Sequence, residues 1–237
     1  MTDDADIQAR LAAIRDRIAA AANRAGRDPT AVHLLAVSKT FPAEAVRALA
    51  AAGQRAFAES SAQEAMDKQD ATADLDLEWH FIGPLQSNKA KLVAPRFALV
   101  HSVDRLKIAR ALDRHRSDGL PLDICLQVNV SGESSKSGCD PEALPELAAT
   151  VAAECPRLRL RGLMAIPAPG ADAEAARPAF RRLRELLERL RADGPDAPWD
   201  VLSMGMSRDF EVAVEEGATH VRVGSALFGE RDYGPGE

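Results

Sequence analysis

Two hydrophobic rhythms alternate along the chain. At the amino end Ile7, Leu11, Ile14 and Ile18 recur at helical spacing among arginines, predicting a helix from Ile7 to Ala25 that Gly26 stops. The next run, His33-Leu34-Leu35-Ala36-Val37-Ser38-Lys39, is mostly apolar and bounded by turn residues, as suits a strand covered on both faces. Further strands are predicted at 55–59, 78–83, 97–102, 122–130, 158–166, 200–205 and 219–224. Between them the spacing predicts helices at 42–52, 62–72, 86–93, 104–116, one ending at Cys155, then 173–191 and 207–216. In the 173–191 segment Phe180, Leu183, Leu187 and Leu190 share one face, and the Glu and Arg residues around them read as a solvated outer surface.

Strand and helix alternate eight times, which implies a parallel sheet. Eight units in this length predict one α/β domain over residues 1–237, a closed (β/α)8 TIM barrel with an added amino-terminal helix. The alternative is an open doubly wound sheet. That fold would carry a glycine-rich fingerprint after the first strand, where this chain has Ser38-Lys39-Thr40.

Composition narrows the setting. A formal net charge of −6 argues against nucleic acid as a partner. Cys125, Cys139 and Cys155 lack the spacing of a disulfide framework or zinc site, so no metal is expected and a reducing cytoplasm fits. The acidic start is no signal peptide, and no run reaches the roughly eighteen apolar residues of a membrane span.

Candidate chemistry begins with Lys39, at the carboxyl end of the first strand, where α/β folds place their sites. An amine partly withdrawn from water is more often neutral and nucleophilic, which makes Lys39 a candidate for Schiff-base formation with an aldehyde. The competing reading is a lysine reaching out to water. After the seventh strand comes Gly205-Met206-Ser207, with Ser207 read as the cap of the next helix. After the eighth comes Gly224-Ser225, opening a short helical turn. Glycines that admit close approach, free N–H groups and hydroxyls at two adjacent loops suit a phosphate. Arg222, between Val221 and Val223, is aimed opposite to them by strand alternation and so into the barrel. There it either pairs internally, for example with Glu59, or donates to a ligand. An aldehyde, a phosphate and a ring nitrogen occur together in pyridoxal 5′-phosphate (PLP).

Several stretches closely resemble the pyridoxal phosphate homeostasis proteins, relatives of the fold-type III barrel domain of alanine racemase. They are Leu35-Ala36-Val37-Ser38-Lys39-Thr40, Trp79 to Lys89, Gln127 to Glu133, Gly162-Leu163-Met164-Ala165-Ile166-Pro167, Leu202 to Ser207, and Val221 to Gly229. The resemblance implies that Lys39 holds PLP as a Schiff base, that Ser207, Gly224 and Ser225 bind its phosphate, and that Arg222 faces the pyridine nitrogen. It also implies that Met164 and Ser60 lie by the cofactor. An arginine at the ring nitrogen does not favour a protonated ring, so the electron sink is weak. One departure stands out. Family members usually show Gly-Glu-Asn-Tyr where this chain has Ala58-Glu59-Ser60-Ser61, which puts the Ser60 contact in question. The loop from Ser131 to Gly138, with Lys136, matches the family and reads either as a cover for the site or as an ordinary polar loop.

The implied role is a cytoplasmic PLP carrier, without turnover, that delivers cofactor to apo-enzymes as a monomer or weak dimer. An amino-acid racemase or decarboxylase is the first alternative. The related racemases use a second base, a tyrosine from an additional domain, whereas the only tyrosine here is Tyr233, so two-base racemisation is not expected. A Schiff-base aldolase is the second alternative. His33, His80, His101, His115 and His220 are expected to be packed or solvent-facing, and Lys89 and Lys91 to lie on a helix surface.

Overall fold

A computed structural model describes residues 4–117, 119–132, 137–168 and 172–229. Eight strands close into a parallel barrel in the order of the chain. They are β1 (His33–Val37), β2 (Ala56–Glu59), β3 (Glu78–Phe81), β4 (Leu99–Val103), β5 (Leu122–Gln127), β6 (Leu158–Met164), β7 (Val201–Ser203) and β8 (His220–Val223). The ring closes where β1 pairs with β8, in the register His33 to His220 and Ala36 to Val223. The TIM-barrel expectation holds, and the open sheet is excluded.

The helices are α1 (Asp4–Arg24), α2 (Ala43–Ala51), α3 (Ala62–Ala71), α4 (Ala90–Val93), α5 (Leu106–His115), α6 (Leu144–Glu154), α7 (Arg177–Asp193), α8 (Phe210–Glu215) and α9 (Ser225–Phe228). The added helix α1 buries Ile7, Leu11, Ile14 and Ile18, and Arg17 and Arg24 pair with Glu211 and Glu215 of α8. Helix α7 buries Phe180, Leu183, Leu187 and Leu190, the face its spacing predicts. Fully burying each such side chain is worth about 1.5–3 kcal/mol. No helix among the described residues is long and apolar enough to cross a membrane.

Strand alternation divides the side chains into two layers. Leu34, Ala36, Phe57, Trp79, Phe81, Val100, Leu202, Val221 and Val223 join the large core between sheet and helices. Leu35, Val37 and Ala58 pack together inside the barrel, as do Leu99, Cys125, Met164 and Val201. Gly162 is needed where β6 crosses β7, because a Cβ there would stand 1.7 Å from the Val201 carbonyl oxygen.

Several boundaries differ from the sequence reading, and two of them have a clear cause. Strand β5 ends at Gln127 rather than residue 130: Cys139 N–H donates to the Gln127 carbonyl and Asn129 N–H to that of Cys139, so the returning loop takes over the pairing. Helix α8 starts at Phe210 rather than Ser207, because the Asp209 carboxylate accepts from Met206 N–H at 2.6 Å and holds residues 206–209 in a turn.

Candidate functional site

Parallel strands put all their carboxyl ends at one mouth, and β1 lies directly beside β8. Leu35 and Val37 point inward, and alternation continued past the strand end turns Lys39 to the same side. Lys39 is half-buried at the rim, three residues beyond the Ala36–Val223 pair, level with the start of α9. The chain then bends sharply. Thr40 adopts φ +70, a conformation side chains rarely take, and its N–H donates to Glu64 Oε1 at 2.5 Å.

A buried cluster behind Lys39 fixes this corner. Lys68 Nζ donates to the Ser38 carbonyl at 2.6 Å, to Glu59 Oε1 at 2.6 Å and to Glu64 Oε1 at 2.7 Å. Ser38 Oγ also donates to Glu59 Oε1, at 2.6 Å. Burial pushes the Glu59 carboxyl up, against the pull of Lys68 and Ser38. The cluster ties the ends of β1 and β2 to α3, and sequence reasoning missed it. The one available sign was the four-residue spacing of Glu64 and Lys68.

The loops after β7 and β8 are joined to each other. Ser207 Oγ accepts from Gly224 N–H at 3.3 Å, and Arg222 N–H donates to the Gly205 carbonyl at 3.0 Å. Ser207 is therefore no helix cap, as the sequence reading had it, but a bridge between the two loops. Gly205 takes φ +91, and a Cβ there would meet the Ala213 Cβ at 2.5 Å. Ser225 is exposed at the first position of α9, where helix N–H groups have no earlier carbonyl to bond. Ser207 and Gly224 thus meet where the loops after β7 and β8 join, with Ser225 the next residue along, at the carboxyl end of the strand that pairs with β1.

Arg222 points into the barrel as its flanking valines require, with 3 % exposure. Its Nη1 donates to Ser203 Oγ at 2.7 Å and its Nη2 to the Ala165 carbonyl at 3.0 Å. The Glu59 pairing is not made, since Glu59 faces the helix layer. Burial pulls the guanidinium down to about 10, which Asp209 opposes, so it stays charged at neutral pH. Met164 is fully buried in the interior below the rim, and Ser60 is half-buried at the end of β2. There Gly83 lies so close that a Cβ would stand 2.0 Å from the Ser60 carbonyl oxygen. Lys136 and Tyr233 lie outside the described residues.

The donor set suits a small molecule with an aldehyde, a phosphate and a hydrogen-bond-accepting ring nitrogen: one amine, a cup of hydroxyls and helix-start N–H groups, and one donating guanidinium. Other chemistries find less. Burial raises all three thiols, Cys139 to about 12 and Cys155 to about 11, so none offers a thiolate. No metal-ligating cluster exists among the described residues. A groove of about 870 Å³ on the outer surface between α6 and α7, lined by Arg181, Arg182, Glu185 and Arg189, includes none of the rim residues.

Comparison with known proteins gives the family. Residues 9–232 match the family model "Alanine racemase, N-terminal domain". A pyridoxal phosphate homeostasis protein of Pseudomonas aeruginosa is 60 % identical over 225 residues, covering 94 % of this chain and 95 % of that one. One from Escherichia coli is 50 % identical over 232 residues, covering 96 % and 98 %. The solved structure of PipY from Synechococcus elongatus, with PLP bound, superposes with a TM-score of 0.81 at 40 % identity, covering 94 % of this chain and all of that one.

Proposed function

The chain belongs to the pyridoxal phosphate homeostasis protein family, within the wider group that shares the alanine racemase N-terminal domain. From that premise we propose that it binds PLP at the carboxyl mouth of the barrel and acts in PLP homeostasis, holding and releasing the cofactor without catalytic turnover. The observation that supports the reading is the pairing of β1 with β8, which runs the strand leading into Lys39 alongside the strand leading into Gly224 and Ser225, where Gly224 N–H meets Ser207.

When bound, PLP supplies a reactive aldehyde conjugated to an electron-withdrawing ring. Lys39 would provide the amine that retains the aldehyde carbon, and Lys68, Glu59 and Glu64 hold the backbone on either side of it, at Ser38 and Thr40. Ser207, Ser225 and the Gly224 backbone bind the phosphate. One helix start is worth only about 0.3–1 kcal/mol toward an exposed anion, so both loops and their hydroxyls are needed together. Arg222 can only donate, so it holds the ring nitrogen unprotonated. A ring held in that form draws electrons weakly, which favours storage over carbanion chemistry. Ser60 and Met164 complete the reading, as a rim hydroxyl and as part of the floor.

The reading treats residues 1–237 as one domain of a cytoplasmic protein, monomeric or weakly dimeric, that passes PLP to apo-enzymes. The test is a spectrum of the purified chain with and without an added amino acid, followed by chiral analysis of that amino acid. A near-visible band and an unracemised amino acid are expected. A colourless protein that takes up no PLP, or sustained racemisation, would refute it.

A further inference from the structure

Arg222 is the last member of a chain of polar side chains that crosses the whole barrel interior. Ser203 Oγ, which accepts from Arg222, lies 2.8 Å from His101 Nδ1. His101 Nε2 lies 2.9 Å from His80 Nδ1, and His80 Nε2 lies 2.6 Å from Glu78 Oε1. Four strands contribute: Glu78 and His80 from β3, His101 from β4, Ser203 from β7 and Arg222 from β8. His80, His101, Ser203 and Arg222 are all buried, while Glu78 reaches solvent at the opposite, amino-terminal mouth.

The two ends determine the direction of every bond between them. A guanidinium can only donate and a carboxylate can only accept. The His80 bond holds the Glu78 carboxyl below its usual range, so that end stays an acceptor. Between the ends, each neutral imidazole has one donor and one acceptor, and the hydroxyl has one donor and two acceptor positions. One arrangement satisfies all four contacts with neutral rings: Arg222 to Ser203, Ser203 to His101 Nδ1, His101 Nε2–H to His80 Nδ1, and His80 Nε2–H to Glu78. An imidazolium at either histidine would donate from both nitrogens and reverse part of the chain.

The surroundings oppose such a charge at His101. Burial holds His101 well below the ordinary histidine value, and His80, His220 and Arg222 act in the same direction. The His220 ring on β8 sits 6.0 Å from that of His80 and 5.9 Å from that of His101, and the His33 ring on β1 lies tilted against that of His220 at 4.8 Å. Arg161 on β6 acts on His220 in the same direction, while Asp209 before α8 and Cys125 on β5 act on Arg222.

We propose that Ser203, His101, His80 and Glu78 are positioning residues for Arg222, a one-way hydrogen-bond relay that orients the guanidinium and carries its charge balance to a carboxylate at the far mouth. The part that concerns a ligand rests on Arg222 facing the PLP ring nitrogen; the relay itself does not. Ser203 is the vulnerable link, because its hydroxyl alone joins the charged guanidinium to the imidazoles.

Histidine-labelled protein without cofactor, followed by long-range 1H–15N spectra from pH 6 to 8, reads the tautomers directly. Nε2–H is expected for both His80 and His101. An Nδ1–H tautomer or an imidazolium at His101 would overturn the relay, whether or not the chain binds PLP. Ser203→Ala removes the hydroxyl that donates to His101 Nδ1, so the Nδ1 15N resonance is expected to shift while the Nε2–H tautomer, set from the Glu78 end, stays. Ser203→Thr, which keeps the hydroxyl, is expected to restore the resonance. In PLP-loaded protein, Ser203→Ala is expected to move the pH midpoint of the near-visible band by ~0.5–1 unit and Ser203→Thr to return it. If Ser203→Ala moves neither the His101 Nδ1 resonance nor the midpoint, the relay does not position Arg222. If wild type takes up no PLP, the proposed function fails while the tautomers still decide the relay.

Discussion

The two mouths of the barrel are built from different materials. At the amino-terminal mouth, charged side chains satisfy one another. Arg159 makes two bonds to Asp123, at 2.5 and 2.8 Å. Arg161 makes two to Asp200, both at 2.7 Å, and reaches Asp123 as well. At the carboxyl-terminal mouth the loops after β7 and β8 are joined through backbone groups and Ser207, and the amine and hydroxyls of the proposed site belong to the loops at that end. A mouth whose charges are already paired offers a ligand little, whereas one whose donors face outward offers an anion a site. The interior relay connects the two.

Disturbing the carboxyl-terminal mouth should cost most where a buried charge loses its partner. Lys68→Met leaves Glu59 buried and Ser38 without its donor, so a loss of about 3–5 kcal/mol is expected in urea unfolding, together with weaker PLP binding. A loss under about 1 kcal/mol would mean that the cluster does not anchor the Lys39 corner. Gly205→Ala adds a methyl against Ala213 at a positive φ, and about 1–3 kcal/mol of destabilisation is expected. Phosphate competition for the PLP site should weaken with it, since the loop after β7 must shift.

The histidines inside the barrel give a pH test. Burial depresses His101 and His220, so below about pH 6.5 the unfolded chain binds protons that the folded chain refuses. Stability should therefore be full above that pH. It should fall with acidification by about 1.4 kcal/mol per pH unit for each histidine until the folded value is reached. A flat stability profile from pH 7 to 5 would contradict this. The smallest effect is expected at the amino-terminal mouth. Asp200→Asn leaves Arg161 its bond to Asp123 at a half-exposed site, and should cost no more than about 1 kcal/mol with PLP affinity unchanged. An affinity change there would break the contrast between the mouths.

What could be read from the sequence follows from which features are local. The apolar run ending in Lys39 and the Val221-Arg222-Val223 alternation encode strand direction and side-chain parity, so the inward Arg222 was legible. Ser207 was placed in the right loop but given the wrong partner. A serine before an apolar run looks like a cap, and the turn held by Asp209 that delays α8 to Phe210 depends on a bond across three residues. The histidines were read as packed or solvent-facing with no partners implied. That His80 meets His101, and His101 meets Ser203, depends on how β3, β4 and β7 face one another across the barrel, which no spacing along the chain encodes. The Lys68–Glu59–Ser38 cluster escaped for the same reason.

The account depends most on the Lys39 amine being the group that holds PLP. Loading the chain with PLP, reducing it with borohydride and mapping the modified peptide by mass spectrometry tests that directly. The pyridoxyl mass is predicted on Lys39 in wild type, and the near-visible band and adduct should vanish in Lys39→Ala. A pyridoxyl group found on another lysine, or a band unchanged in Lys39→Ala, would contradict the account.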